Sequence, residues 1–121
     1  MRLEQIQELD KRGLAYIQLV RYNSAFDPNK RGTEMDVLST FRPLIKKTPV
    51  FYNCGLTATE AEDWISQGLI DCAVFGRDFL TTPDLPQRLF KGLDLNPPQY
   101  ATFYGGGNPD RAVGYTDYPT A

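Results

Sequence analysis

Three polar clusters in this 121-residue chain directly follow apolar runs, and they hold the groups best suited to chemistry. The run LAYIQLV (residues 14–20) ends in Arg21-Tyr22-Asn23. The run PVFYN (49–53) ends in Tyr52-Asn53 and continues into Cys54-Gly55, and IDCAVF (70–75) ends in Gly76-Arg77. A phenol beside an amide can bind and polarise a carbonyl, because fixed donors stabilise developing negative charge. Asn53 can equally cap its turn. Gly-Arg at a strand end suits an anion: glycine admits close backbone approach, and arginine offers a forked set of donors. The competing reading of Arg77 is a surface ion pair with Asp78 or Asp84, of small energetic value. Cys54 has no imidazole beside it to activate the thiol. Cys72, inside an apolar run, reads as core, and so does Trp64.

Composition removes other chemistries. The chain has no histidine, which excludes Ser-His-Asp and Cys-His nucleophile systems and most zinc sites. Net charge is −2, and no Lys/Arg cluster exceeds two neighbours, so nucleic acid is not an expected partner. No apolar run approaches the roughly 20 residues of a membrane span. Residues 1–13 (MRLEQIQELDKRG) are too polar for a signal peptide. Two cysteines without CxxC spacing point to a reducing, cytoplasmic setting. Asp94, Asp110 and Asp117 are scattered tail carboxylates without metal spacing. GGGNPD at 105–110 lacks the preceding strand and following helix of a nucleotide loop.

The elements that position these clusters alternate. A helix is expected over 2–12, with Leu3, Ile6 and Leu9 on one face and Gly13 as its stop. A strand over 14–20 and a polar loop over 23–32 follow. Thr33 with Asp36 suggests an N-cap for a helix carrying Met35, Leu38, Leu44 and Ile45 and ending at Lys46-Lys47. After a strand over 49–53, Thr57 and Glu60 form a capping box for a helix through Ser66, closed by Gly68. A third strand spans 70–75. Thr82-Pro83 then opens a helix to Lys91, stopped by Gly92. From Asp94 onward the chain shows no periodicity. Near-continuous apolar strands joined by amphipathic helices define an α/β domain over 1–121 with about three parallel strands and an irregular C-terminal tail. Right-handed crossovers place the helices on one face. The other face and both sheet edges are left bare, so a homodimer or larger homo-oligomer is expected to cover them.

The stretch AVFGRDFLTTPDLPQRLFKGLDLNPPQYATFYGGG…GYTDYP resembles the C-terminal end of the old yellow enzyme family, FMN-dependent ene-reductases built on a (β/α)8 barrel. RGLAYIQLV resembles the family's sixth strand, and TPVFYNCGLTATEAEDWISQGLID its seventh strand and helix. The resemblance covers almost the whole chain in the family's order. It implies a partial TIM barrel, truncated so that the first five strands have no counterpart, and with them the substrate-binding His/Asn pair and the proton-donating tyrosine. It also implies Gly55, Gly76 and Arg77 at the flavin phosphate, and Phe103 and Tyr104 at the dimethylbenzene edge. Two departures fall at strand tips. Cys54-Gly55 stands where the family usually has Gly-Gly, and Val20-Arg21 where Val-Glu is common.

Two functions remain open. One is a flavin-independent enzyme or binding protein for a small apolar metabolite, of isomerase or cyclase type in specialised biosynthesis. It would work as an oligomer without a cofactor, through Arg21, Tyr22, Tyr52, Asn53 and Cys54, because such steps need shape, donors and desolvation. The other is an FMN-dependent NAD(P)H ene-reductase completed by another chain.

Overall fold

In the computed structural model, which describes residues 3–105 and 109–121, three short strands form one parallel sheet in the order β1-β2-β3. They are β1 Ile17–Val20, β2 Val50–Asn53 and β3 Cys72–Val74. Ile17 is in register with Val50, and Phe51 with Cys72. The helices are α1 Leu3–Lys11, α2 Val37–Phe41, α3 Ala58–Ser66, α4 Arg77–Thr81 and α5 Leu85–Lys91. Two compact units are distinguished, Met1–Val74 and Phe75–Ala121. Among the described residues no helix is long and apolar enough to cross a membrane. The centre of the GGGNPD stretch, residues 106–108, and residues 1 and 2 lie outside the described residues.

The first unit holds the sheet. Its core lies on one side, where Ile17, Leu19, Val50 and Tyr52 are buried together with Ile6, Ile45 and Ile70. β1 is shorter than the apolar run suggested, because β2 begins at Val50 and offers residues 14–16 no ladder partner. The start of β2 is fixed by Asp10 at the end of α1. Its buried carboxylate accepts the peptide N–H groups of Lys46 (2.8 Å), Lys47 (3.0 Å) and Thr48 (2.8 Å). Arg42 ties the neighbouring turn down by donating to the carbonyls of Leu69, Ile45 and Gly68.

Helix limits differ from the sequence expectation where a stronger cap or a proline intervenes. The second helix is capped by Asp36 and not by Thr33, and the Asp36 carboxylate accepts the Ser39 N–H at 3.0 Å. Pro43 cannot donate to a continuing helix, so the chain tightens into a 3-10 turn over Arg42–Leu44. The capping box of α3 is formed as expected: Thr57 Oγ1 accepts the Glu60 N–H and Glu60 Oε2 accepts the Thr57 N–H, both at 3.1 Å.

In the second unit the expected helix from Thr82 starts later, at Leu85, and α4 precedes it. The aperiodic tail is nonetheless pinned. Buried Arg88 pairs with Asp84 at 3.0 Å and donates to the carbonyls of Asp94 (2.9 Å) and Pro119 (3.0 Å). Asn96 donates to the Thr81 and Pro119 carbonyls, and the Ala121 N–H reaches Asp84.

The Lys46 N–H, with the Thr48 and Lys47 N–H groups, holds the Asp10 carboxyl well below the ordinary carboxylate range against the opposing cost of burial. Such a group stabilises fully above its unfolded pKa of about 4, and that contribution fades as pH falls through the depressed folded value. Asp10→Asn should therefore lower the urea midpoint at neutral pH and flatten the loss of stability below about pH 4. Urea titrations across pH check this; a mutant with the parental acid profile would contradict it.

Candidate functional site

Side-chain parity decides where each strand-tip group goes. Ile17 and Leu19 point into the core, and Arg21 continues on their side. Tyr52, in register with Leu19, does the same and is only 3% exposed. Its ring meets Trp64 of α3 edge-on at 5.3 Å. The Arg21 guanidinium lies 5.2 Å from the Trp64 ring centroid and 6.0 Å from that of Tyr52. It donates to Glu60 at 3.0 Å. Glu60 thus closes the α3 capping box and neutralises Arg21 at once, and its carboxyl is held low by the Thr57 N–H and then by Arg21. Burial pushes the Tyr52 phenol up, with Arg21 pulling the other way.

The neighbouring groups are also engaged. Asn53 lies on the opposite side of β2 and donates to the Val74 carbonyl at 2.9 Å. Asn23 caps a short 3-10 turn by accepting the Ala25 N–H at 2.9 Å. The Tyr22 hydroxyl contacts Asp27 at 3.3 Å, and that carboxylate also accepts the Arg31 N–H at 2.9 Å and the Gly32 N–H at 2.6 Å. A Cβ on Gly32 would sit 2.7 Å from the Tyr22 ring, so the loop closes tightly over this phenol. A hollow of about 300 Å³ lies beside it, lined by Val20, Arg21, Tyr22, Phe26, Asp27 and Cys54 among others. Of the five residues named from sequence as catalytic, Arg21, Tyr22 and Cys54 meet at this hollow, whereas Tyr52 and Asn53 do not line it.

Cys54 adopts φ +88° and Gly55 follows at φ +69°. Two successive positive φ values are glycine geometry, and a side chain in the left-handed region costs about 1–2 kcal/mol. The backbone at the tip of β2 therefore keeps the shape of a glycine pair although its first member is cysteine.

In the second unit Gly76 is the N-cap of α4. Its φ of −95° is open to any residue, and nothing lies within 4 Å of where a Cβ would sit. Neither backbone nor packing requires glycine there. Arg77 follows, with its guanidinium 5.9 Å from the Tyr100 ring centroid. Tyr100 in turn meets Phe103 edge-on at 5.6 Å. Phe103 is buried, while Tyr104, at φ +58°, is 93% exposed. Of the aromatic pair placed at a ligand edge by resemblance, only Tyr104 presents its ring outward. Asp84 is taken by Arg88. Sequence reasoning missed Glu60, which binds Arg21, and Tyr100, whose ring lies beside Arg77. A capping-box glutamate and a tail tyrosine carry no motif that announces such a role.

No protein-family model matches the chain. The old yellow enzyme from Trypanosoma cruzi superposes with a TM-score of 0.79 at 29% identity, over 97% of this chain and 28% of that one. This chain corresponds to the C-terminal part of the old yellow enzyme family. 12-Oxophytodienoate reductase 2 of Arabidopsis thaliana is 28% identical over 98% of this chain, which is 30% of that relative. Flavin oxidoreductase hxnT of Emericella nidulans is 49% identical over 42% of this chain and 13% of its own. The chain spans 28–30% of the length of curated relatives that match nearly all of it. The fold is the corresponding part of the TIM barrel of old yellow enzymes, and the strand tips are where such barrels place their sites.

Within this old yellow enzyme segment, Cys54→Gly should relieve the left-handed strain and raise stability by about 1 kcal/mol. Chemical unfolding checks this. An unchanged or lowered midpoint would mean that the cysteine side chain makes contacts worth as much as the strain.

Proposed function

We propose that the chain supplies the phosphate-side part of a flavin site in an FMN-dependent NAD(P)H ene-reductase, completed by strands of another polypeptide. Gly76 carries the reading. A glycine that neither its dihedral angles nor its packing demands, followed by arginine at a helix start, leaves open space beside a cation. That is the arrangement a phosphate needs if it is to approach the main chain. Bound FMN would supply hydride transfer. The chain's own part is to hold the phosphate through the Gly76 N–H and Arg77, whose guanidinium lies 5.9 Å from the Tyr100 ring centroid.

The flavin-independent isomerase or cyclase reading is weaker because each of its main polar groups already has an internal partner. Arg21 is bound to Glu60, Tyr22 to Asp27, and Asn53 to Val74, while Tyr52 is buried against Trp64.

Fluorescence titration separates a phosphate-led site from adventitious ring binding. FMN should bind more tightly than riboflavin, which lacks the phosphate. Arg77→Ala should weaken FMN by about tenfold, as expected for one charge-assisted hydrogen bond, and leave riboflavin unchanged. Equal affinity for the two flavins, or no effect of Arg77→Ala, would overturn the reading.

A further inference from the structure

The described part of the irregular tail doubles back on itself. Its two limbs, residues 94–104 and 112–121, are joined by hydrogen bonds between side chains and backbone. Asn96 Nδ2 donates to the Pro119 carbonyl at 2.7 Å, and the Gln99 N–H donates to the Tyr118 hydroxyl at 3.0 Å. The Thr102 hydroxyl lies 2.7 Å from the Gln99 carbonyl and 2.8 Å from that of Gly114, so one donor ties both limbs. Gly114 permits this approach: it sits at φ +67°, and a Cβ there would run into the Thr102 side chain. Thr102 also closes its own turn, donating its N–H to the Gln99 carbonyl at 2.9 Å. That turn, residues 99–102, carries Tyr100, whose ring is edge-on to buried Phe103. Tyr100 is nevertheless 62% exposed, and the Arg77 guanidinium lies 5.9 Å from its ring centroid. All of these residues belong to the second unit.

We propose that Thr102 is a positioning residue for the phosphate site: by locking the turn, it holds the Tyr100 ring where that ring confines the Arg77 guanidinium. The role rests on the phosphate-side reading above and names what prepares its cation. A long arginine side chain gives up rotamer freedom when it grips an anion, and a partner that restricts it beforehand lowers that cost. A ring suits this task better than a carboxylate. Attraction to a ring face takes up none of the five N–H donors and leaves the charge in place, whereas an ion pair neutralises it. Arg21, bound to Glu60, shows the other arrangement in the same chain. The turn does not need Tyr100 as filling, because Phe103 supplies its buried ring. The exposed ring is therefore free to serve the cation.

Flavin titration of the full chain, read as the ratio of FMN to riboflavin affinity, tests this, because general destabilisation weakens both flavins alike. Thr102→Val keeps the branched shape and removes the hydroxyl. It should lower the ratio about threefold, as expected for loss of an exposed cation–π contact. Thr102→Ser should retain the parental ratio, and Tyr100→Leu should match Thr102→Val. In the Arg77→Ala background Thr102→Val should have no further effect, since the two act as one unit. A second readout needs no ligand. Nitrogen relaxation of the Arg77 Nε–H group in the free chain should show it ordered in the parent and mobile in Thr102→Val, with the amide signals of α5 unchanged. Equal mobility in the two, or a Thr102→Val effect that persists in the Arg77→Ala background, would overturn the proposal. The two readings fail separately. If Arg77→Ala abolishes the ratio while Thr102→Val and Tyr100→Leu keep it, the positioning role falls and the phosphate site stands. If Thr102→Val frees Arg77 but the parent binds both flavins equally, the tail's hold on Arg77 is upheld and the phosphate reading falls.

Discussion

Alternation along three strands of three or four residues decides what this chain can offer to any ligand. Successive side chains of a strand point to opposite faces, and within the first unit the described helices pack on one of them. Val50 and Tyr52 turn toward the helices, Phe51 and Asn53 away from them. Residues adjacent in sequence at a strand tip are therefore not neighbours in a site. Arg21 and Tyr52 fall on the packed side, where aromatic rings and a carboxylate hold them. Val20 falls on the open side. A shift of one residue in the register of β2 would exchange these roles completely, so whatever fixes the register fixes the chemistry.

Asp10 is that determinant. Three peptide N–H groups in a row bind its carboxylate, and the strand starts two residues later. From there the consequences run along the sheet. Val50 meets Ile17, the Asp71 carboxylate accepts the Val50 N–H at 2.8 Å, and β3 follows in register. At the far end the α3 capping box is extended by Arg21, so the N-terminus of one helix also anchors the tip of β1. The first unit is thus clasped at both ends of its sheet on the helix side, whereas the other face carries the Tyr16–Phe51 stack and the Asn53–Val74 hydrogen bond. An old yellow enzyme needs that other face for its barrel interior. The asymmetry is what one arc of a closed barrel looks like when described by itself.

Much of this was legible in the sequence. The order of helices and strands, the Thr57–Glu60 box, and the glycine stops at Gly68 and Gly92, both at positive φ, follow from local rules that the tertiary structure does not override. The departure from Gly-Gly at Cys54 correctly marked an unusual place, because the backbone there remains glycine-like. Parity was harder to read. Strands buried in a parallel sheet are apolar on both sides, so PVFYN shows no alternation to say that Tyr52 turns in and Asn53 out. Helix α4 escaped because five residues after a strand carry no period, and Thr82-Pro83 was the more obvious start. Phe103 and Tyr104 could not be separated by type alone. Only packing on Tyr100 shows which of the two rings is buried.

The central claim is that one face of the sheet is sealed and the other is open. Hydroxyl-radical footprinting of the purified chain, read residue by residue, tests it without reference to any ligand. The account predicts rapid oxidation of Tyr16 and strong protection of Tyr52, two phenols one strand apart on opposite faces. Equal protection of both, or a reactive Tyr52 beside a protected Tyr16, would contradict it.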